Sequence, residues 1–369
     1  MTLHRLSGAL QPADRWCERL RAGAGTTRVL LLLAGTATAA VPGISAAGAT
    51  PESRRWTAAA DAELLLLGPG RHRPHALPPL PAGVSPALIA RVVVEQLALE
   101  PLVVDAGAAV APAVPHLHLA QRPARCLSTG AAMAPARVRQ LLLLGRRWGR
   151  QLARRPQPVL LAECVPGGTS TAQAVLQGLG LDAAGLVSGS LREPVHALKA
   201  QLVAEGLAAA RLAAPASPEQ VLAAVGDPMQ PLAAGLVQAA AQAGLPVLLA
   251  GGSQMAAVLA LALEFTPPAQ RQRLAAQVAI ATTAWVAAEG SSNLPLLLER
   301  LAGRWEVEPL AFAASLRFQQ CRSPELQAFE QGYVKEGVGA GGLALLWQLS
   351  GRDPADLAAA CDQACALLR

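Results

Sequence analysis

The stretch Pro158-Val-Leu-Leu-Ala-Glu-Cys-Val-Pro-Gly-Gly-Thr-Ser-Thr-Ala-Gln-Ala-Val-Leu-Gln-Gly-Leu-Gly180 decides the fold. Val159 to Ala162 is a short apolar run behind a proline, the pattern of a buried strand. Gly167 and Gly168 make a turn with exposed backbone N–H groups, and Thr169, Ser170 and Thr171 offer an N-cap and hydroxyl donors to the helix that follows. Such a helix start suits an anion, above all a phosphate. It suits a plain structural turn equally, because the Lys of a P-loop and the spacing of a dinucleotide fingerprint are both missing. Glu163 puts a carboxylate at the strand's carboxyl end. A carboxylate repels phosphate, so it should face another part of a ligand.

The composition around this stretch fits the same architecture. The chain has 369 residues, 52% of them hydrophobic, 15% charged and 3% aromatic, so Leu, Ala and Val must fill the core. That suits helices packed on parallel strands, an α/β class, better than an antiparallel sandwich. The net charge of +6 is mainly arginine, and Arg146, Arg150 and Arg154 lie four apart on a predicted helix. With no aromatic platform beside them they read as a solvated face, so no nucleic-acid partner is expected. The six cysteines and six histidines show no metal-ligand spacing. His116 and His118 alternate as in an extended segment, and no metal site or cofactor is expected. Reduced thiols and the absence of an export signal at Val29 to Ala40 point to a cytoplasmic protein, and no apolar run is long enough to cross a bilayer.

Along the chain, a helix around Trp16 precedes a strand at Arg28 to Leu33 and a loop of small residues from Ala34 to Pro51. Glu52 to Ala62 is predicted as helix, Glu63 to Leu67 as strand, and Ser85 to Leu97 as helix. A strand from Pro101 ends on Asp105-Ala-Gly107, where an acid at a carboxyl end is either a ligand contact or a turn residue. Leu186 to Ser188 is read as a short strand ending in Gly189-Ser190, before a long helix carrying Lys199. That lysine suits either a phosphate contact or an ordinary surface position. Pro246 to Ala250, then Gly251-Gly252, Ser253 and a helix, repeat the central pattern. Near the end, Lys335-Glu336-Gly337-Val338-Gly339 holds an acid in a glycine-rich break before a helix.

Glu163 to Thr171, Gly251-Gly252 and Glu336-Gly-Val-Gly339, in this order, resemble the nicotinate-nucleotide:dimethylbenzimidazole phosphoribosyltransferase (CobT-like) family. That family has Gly-Glu-Met-Gly-Ile-Gly-Asn-Thr-Thr where this chain has Ala162-Glu-Cys-Val-Pro-Gly-Gly-Thr-Ser170, and Gly-Glu-Gly-Thr-Gly at Lys335 to Gly339. Leu33-Ala-Gly35, Val103-Val-Asp105, Thr129 to Met133 and Pro246-Val-Leu248 extend the likeness over nearly the whole chain.

The resemblance implies a Rossmann-like, mostly parallel sheet flanked by helices in residues 27–335. It also implies a small helical lobe from residues 1–26 and 336–369, and a homodimer. The implied activity moves the phosphoribosyl group of nicotinate mononucleotide to an aromatic base in cobamide lower-ligand synthesis. Glu336 is then the general base, Glu163 lines the base pocket, and Lys199 lies by the phosphate. Gly167, Gly168, Thr169, Ser170, Thr171, Gly189, Ser190, Gly251, Gly252, Ser253, Gly337, Gly339 and Asp105 are the expected substrate contacts. Two departures fall on the acceptor pocket. The family's Asp-His is here Thr36-Ala37, and its Tyr-Pro and Gln-Met contacts have no counterpart around Ala49 to Asp61. The chain therefore looks closer to a separate branch of the family, and a catalytically idle nucleotide-binding paralogue is the alternative.

Overall fold

In the computed structural model, which describes residues 3–189, 191–192, 195–213 and 215–368, eight strands form one sheet. They are β1 (His4–Ser7), β2 (Arg28–Leu33), β3 (Leu102–Asp105), β4 (Leu117–His118), β5 (Val159–Cys164), β6 (Val247–Ala250), β7 (Val278–Thr282) and β8 (Leu310–Ala313). The first helices are α1 (Leu10–Ala22), α2 (Thr57–Leu67), α3 (Ala87–Gln96), α4 (Pro135–Leu152), α5 (Gly168–Gly178), α6 (His196–Ala210) and α7 (Pro218–Val225). Then come α8 (Met229–Gln242), α9 (Ser253–Glu264), α10 (Pro268–Ala275), α11 (Ala284–Ala287), α12 (Leu294–Trp305), α13 (Pro324–Glu330), α14 (Ala340–Leu349) and α15 (Pro354–Ala366).

The sheet order is β1-β8-β7-β6-β5-β2-β3-β4, and β1 alone among these strands runs antiparallel, against β8. From β2 the chain first grows outward through β3 and β4, then returns to β2's other side and grows outward again from β5. Loops leaving the carboxyl ends of β2 and β5 therefore part company, and the crevice between them is where such sheets hold ligands. The expected α/β class with a mostly parallel sheet is the observed one.

Both faces of the sheet are covered, which explains strands that read as unbroken apolar runs. Leu30 and Leu32 of β2 with Val159 and Leu161 of β5 face one core. Val29, Leu31 and Leu33 with Leu160 and Ala162 face the other. Small residues let the helices close up as well. A Cβ on Gly145 of α4 would lie 2.1 Å from the Leu232 carbonyl oxygen of α8, so the two backbones touch.

Three local expectations change. Glu63 to Leu67 is the last part of α2, not a strand. A four-leucine run has no period that separates helix from strand, and Gly68 at φ +84°, donating its N–H to the Leu64 carbonyl, marks the helix end. Leu186 to Ser188 is not a strand, because its backbone is engaged elsewhere: the Leu186 carbonyl accepts from Asn293 N–H, and Ser188 N–H donates to Ser253 Oγ at 3.0 Å. β1 and β8 were not foreseen. The residues before β2 and after Glu336 contribute β1 to the sheet's edge and place α14 against α1 and α3. Among the described residues no helix is long and apolar enough to cross a membrane.

The α4–α8 contact generates a test. Gly145→Ala should gain about 1 kcal/mol of helix propensity but force the backbones apart, for a net destabilisation of about 1–3 kcal/mol. Urea unfolding monitored by circular dichroism measures it, and an unchanged midpoint would contradict the backbone contact.

Candidate active site

A cavity of about 350 Å³ opens at the carboxyl ends of the central strands. β5 delivers Glu163 and then turns at Gly167-Gly168 into α5, while β6 delivers Gly252, Ser253 and Gln254 into α9. Ser45 to Ala47 from the loop after β2 and the Ser188-Gly189 pair supply two further walls, and Lys335, Glu336 and Gly337 join the lining from the segment before α14. The first turns of both α5 and α9 line the cavity, so the backbone N–H groups of two helix starts favour negative charge there. Gln254 links the two turns. Its amide occupies the space above Gly168, where a Cβ would sit 2.0 Å from Gln254 Oε1, and its Nε2 donates to Glu163 Oε1 at 2.8 Å.

The two acids are held differently. Glu163 accepts from Gln254 and from Val165 N–H at 2.9 Å. Burial, followed by the like charges of Asp227 and Glu336, pushes its carboxyl up to about 8. Glu336 accepts four hydrogen bonds: Thr282 Oγ1 at 3.0 Å and Thr283 N–H at 2.9 Å on one oxygen, and Gly337 and Gly341 N–H at 3.1 Å on the other. These donors oppose burial, which still raises its carboxyl to about 7. Gly341 must be glycine, because a Cβ there would lie 2.5 Å from Glu336 Oε2 and 2.1 Å from the Thr282 carbonyl carbon.

The segment carrying Glu336 is strained. Val334, Lys335 and Val338 have φ of +65°, +55° and +53°, values that bulky L residues adopt at a cost. It is anchored by Val338 N–H donating to the Glu163 carbonyl at 3.0 Å and by Thr283 Oγ1 donating to the Lys335 carbonyl at 2.6 Å.

Of two buried lysines here, Lys335 is part of the lining and Lys199 stands behind it. Lys335 Nζ donates to Glu289 Oε1 at 2.6 Å and to the Leu191 carbonyl at 3.0 Å. Glu289 also accepts from Ser188, Ser291 and Ser292, and these partners outweigh burial to hold its carboxyl below the usual range. Lys199 Nζ donates to the Ser188 carbonyl at 3.2 Å and sits 3.8 Å from where a Cβ on Gly189 would be. Burial lowers its ammonium to about 8.

A model of the phosphoribosyltransferase family matches residues 87–288. The chain belongs to this CobT-like phosphoribosyltransferase family. Its relatives include the UPF0284 proteins of Prochlorococcus marinus strain MIT 9313, 50% identical over 96% of this chain and 90% of that one, and of Gloeobacter violaceus, 47% identical over 94% and 89%. Among solved structures it is similar to CobT from Thermus thermophilus, with a TM-score of 0.58 and 19% identity over 95% of each chain. It is also similar to the nicotinate-nucleotide-dimethylbenzimidazole phosphoribosyltransferase of the same organism, with a TM-score of 0.59 and 20% identity over 98% of this chain and 96% of that one. At such identity these two establish a shared fold.

On this phosphoribosyltransferase fold, Glu163, Gly167, Gly168, Thr169, Gly189, Gly252, Ser253, Glu336 and Gly337 all line one cavity. Others of the expected set do not. Thr171 is fully buried, its hydroxyl 2.9 Å from the Gly168 carbonyl oxygen and donating at 2.6 Å to Asp227 Oδ2, while Ser170 is fully buried beside it. Helical geometry turns these two hydroxyls into the protein once Gly167, not a hydroxyl residue, stands at the N-cap. Gly251 and Gly339 lie behind the lining, the latter packed on Ala162. Lys199 is buried behind Ser188, so the surface reading fails. Asp105 is at the end of β3, bonded to His118 and to the Gly107 and Ala108 N–H groups, away from the cavity. Ser190 lies outside the described residues.

Asp61 is a lining residue that sequence reasoning missed. It is buried, accepts from Ser85 Oγ at 2.6 Å and Cys164 Sγ at 3.3 Å, and is raised by burial to about 6. The available signal was a lone acid between Ala58-Ala-Ala60 and Ala62, on a helix with no polar face.

Raised carboxyls couple folding to pH. With Asp61 and Asp227 at about 6, Glu336 at about 7 and Glu163 at about 8, the native state binds more protons than the unfolded chain across this range. Stability should therefore be highest on the acid side of the window and be lost as pH rises through these values. Glu163→Gln should fall less than wild type in denaturation midpoint between about pH 5.5 and pH 8.5. An equal fall in both proteins would remove Glu163 as a source.

Proposed function

We propose that this chain transfers the phosphoribosyl group of nicotinate mononucleotide to a ring nitrogen of an aromatic base, dimethylbenzimidazole or a related heterocycle. The observation that carries the reading is a single cavity in which Glu163 and Glu336, far apart in sequence, meet two helix starts. In this reading the 5′-phosphate sits on the N–H groups at Gly167 to Thr169 and Gly252 to Ser253, with Lys199 behind the Gly189 wall as a further cation. The acceptor nitrogen forms a bond to C1′ as the bond from C1′ to the nicotinate ring breaks. The electron pair of the broken bond returns to the pyridine nitrogen, and nicotinate leaves. The acceptor's N–H proton goes to Glu336, whose carboxyl, near neutrality, suits a general base.

Asp61, Ser85 and Glu163 line the cavity as groups that can face polar edges of the heterocycle. They stand in for the family contacts that Thr36-Ala37 and the segment from Ala49 to Asp61 lack. A homodimer, on the strength of the family resemblance, and a cytoplasmic setting, on the reading of the cysteines, belong to the same proposal. A second reading, an idle nucleotide-binding paralogue, draws on the four donors that already fill Glu336.

Incubation with nicotinate mononucleotide and a panel of benzimidazoles and purines should release free nicotinate with at least one base. Glu336→Gln should slow that release by about 10²–10⁴-fold. Nucleotide binding without release across the panel would establish the idle reading instead.

A further inference from the structure

We propose that Asp105, His116 and His118 form a binding site for one divalent transition-metal ion of the zinc class, at the β3–β4 edge and separate from the cavity. Each offers a ligand atom, and the three atoms lie within 4.8 Å of one another. His118 ends β4 and His116 directly precedes that strand, and their rings meet edge to face with centroids 6.1 Å apart. Asp105 is paired directly opposite His118 in the β3–β4 ladder.

The hydrogen bonds around the three residues orient their ligand atoms toward one another, and an ion would displace the one between His118 and Asp105. Asp105 Oδ1 is occupied by the Gly107 and Ala108 N–H groups at 2.9 and 2.7 Å, which fixes the carboxylate and turns Oδ2 toward the histidines. His116 Nδ1 lies 2.7 Å from the Val114 carbonyl and so carries the proton, which leaves the lone pair on Nε2. A metal-bound imidazole is held in the same way, by donating its other N–H to a carbonyl. His118 Nδ1 is hydrogen-bonded to Asp105 Oδ2 at 2.9 Å; an ion would replace the shared proton, and that separation is one that two ligands bound to one ion at about 2.0–2.2 Å can keep. The carboxylate is buried while the His118 side chain is 53% exposed, so an ion reaches the site from solvent and keeps water in its remaining positions.

Two imidazoles and a carboxylate suit zinc and its neighbours rather than magnesium or calcium. The ion would clip β4, only two residues long, to β3. It would thereby brace the segment up to Ala124, which exchanges backbone hydrogen bonds of 2.8 Å with Gly35 and Ala37 after β2.

The test uses the full chain, stripped with a chelator and titrated with zinc chloride by calorimetry, with cobalt(II) absorption as a second readout. Wild type should bind one equivalent at this site and melt at a higher temperature with zinc than without. His116→Gln and Asp105→Asn should each weaken binding by about tenfold or more and abolish the cobalt ligand-field bands. His72→Ala, at an exposed histidine elsewhere, should leave both unchanged. Should Asp105→Asn disturb the turn, His116→Gln, at a partly exposed side chain, decides alone. Undiminished binding in His116→Gln, or no saturable binding by wild type, would overturn the site.

Discussion

The hydrogen bond from Val338 N–H to the Glu163 carbonyl is the constraint on which the site depends. Glu163 ends the central strand β5, and Val338 lies in the strained segment that carries Glu336. That tie, with the Thr283 bond to the Lys335 carbonyl, offsets the cost of residues held at positive φ and so keeps the second acid at the cavity. The same strain separates neighbours. Lys335 reaches Glu289 and Leu191, while Glu336 beside it reaches Thr282, Thr283 and Gly341. Adjacent residues thus deliver opposite charges to different surroundings.

This division organises the electrostatics. Lys335 is neutralised by Glu289, whereas Lys199 donates to the carbonyl oxygens of Val187 and Ser188. An anion arriving at the Gly189 wall would relieve a buried cation, as well as meeting the helix starts. Asp61, Glu163 and Glu336 crowd together around the rest of the cavity, and burial raises all three carboxyls. Acids in this condition carry protons readily near neutral pH, so that part of the cavity suits the N–H and ring-nitrogen edge of a heterocycle better than a phosphate.

What could be read in the sequence was whatever one segment encodes by itself. The β5 run, the Gly167-Gly168 turn and the matching Pro246 to Ser253 stretch carry their strand, turn and helix signals locally. Glu63 to Leu67 did not, because four leucines satisfy either period and only packing on α3 and the sheet chose helix. The direction of a hydroxyl was equally hidden. Thr169, Ser170 and Thr171 look alike in sequence, yet a residue's angle around α5 puts the first at the cavity and the other two inside. Asp61 with Ser85 and Cys164 needed three distant segments to be brought together. The pairing of Asp105 with His118 across the ladder likewise joins two segments that the sequence shows only as a turn and an extended run.

The four donors on Glu336 bear on whether a carboxylate so fully bonded can still accept a proton. Three of them are backbone N–H groups, which cannot turn away, but the fourth is the Thr282 hydroxyl. A hydroxyl both donates and accepts, so rotation about its C–O bond converts the Thr282 contact into one that receives a hydrogen bond from a protonated Glu336. The ionised carboxylate would be held by four donors and the neutral acid by three donors and one acceptor, so Glu336 itself keeps four partners in either state. Burial favours the neutral form and the backbone amides favour the charged one. The near-neutral carboxyl is the balance of the two, which a group that takes a proton and then returns it requires.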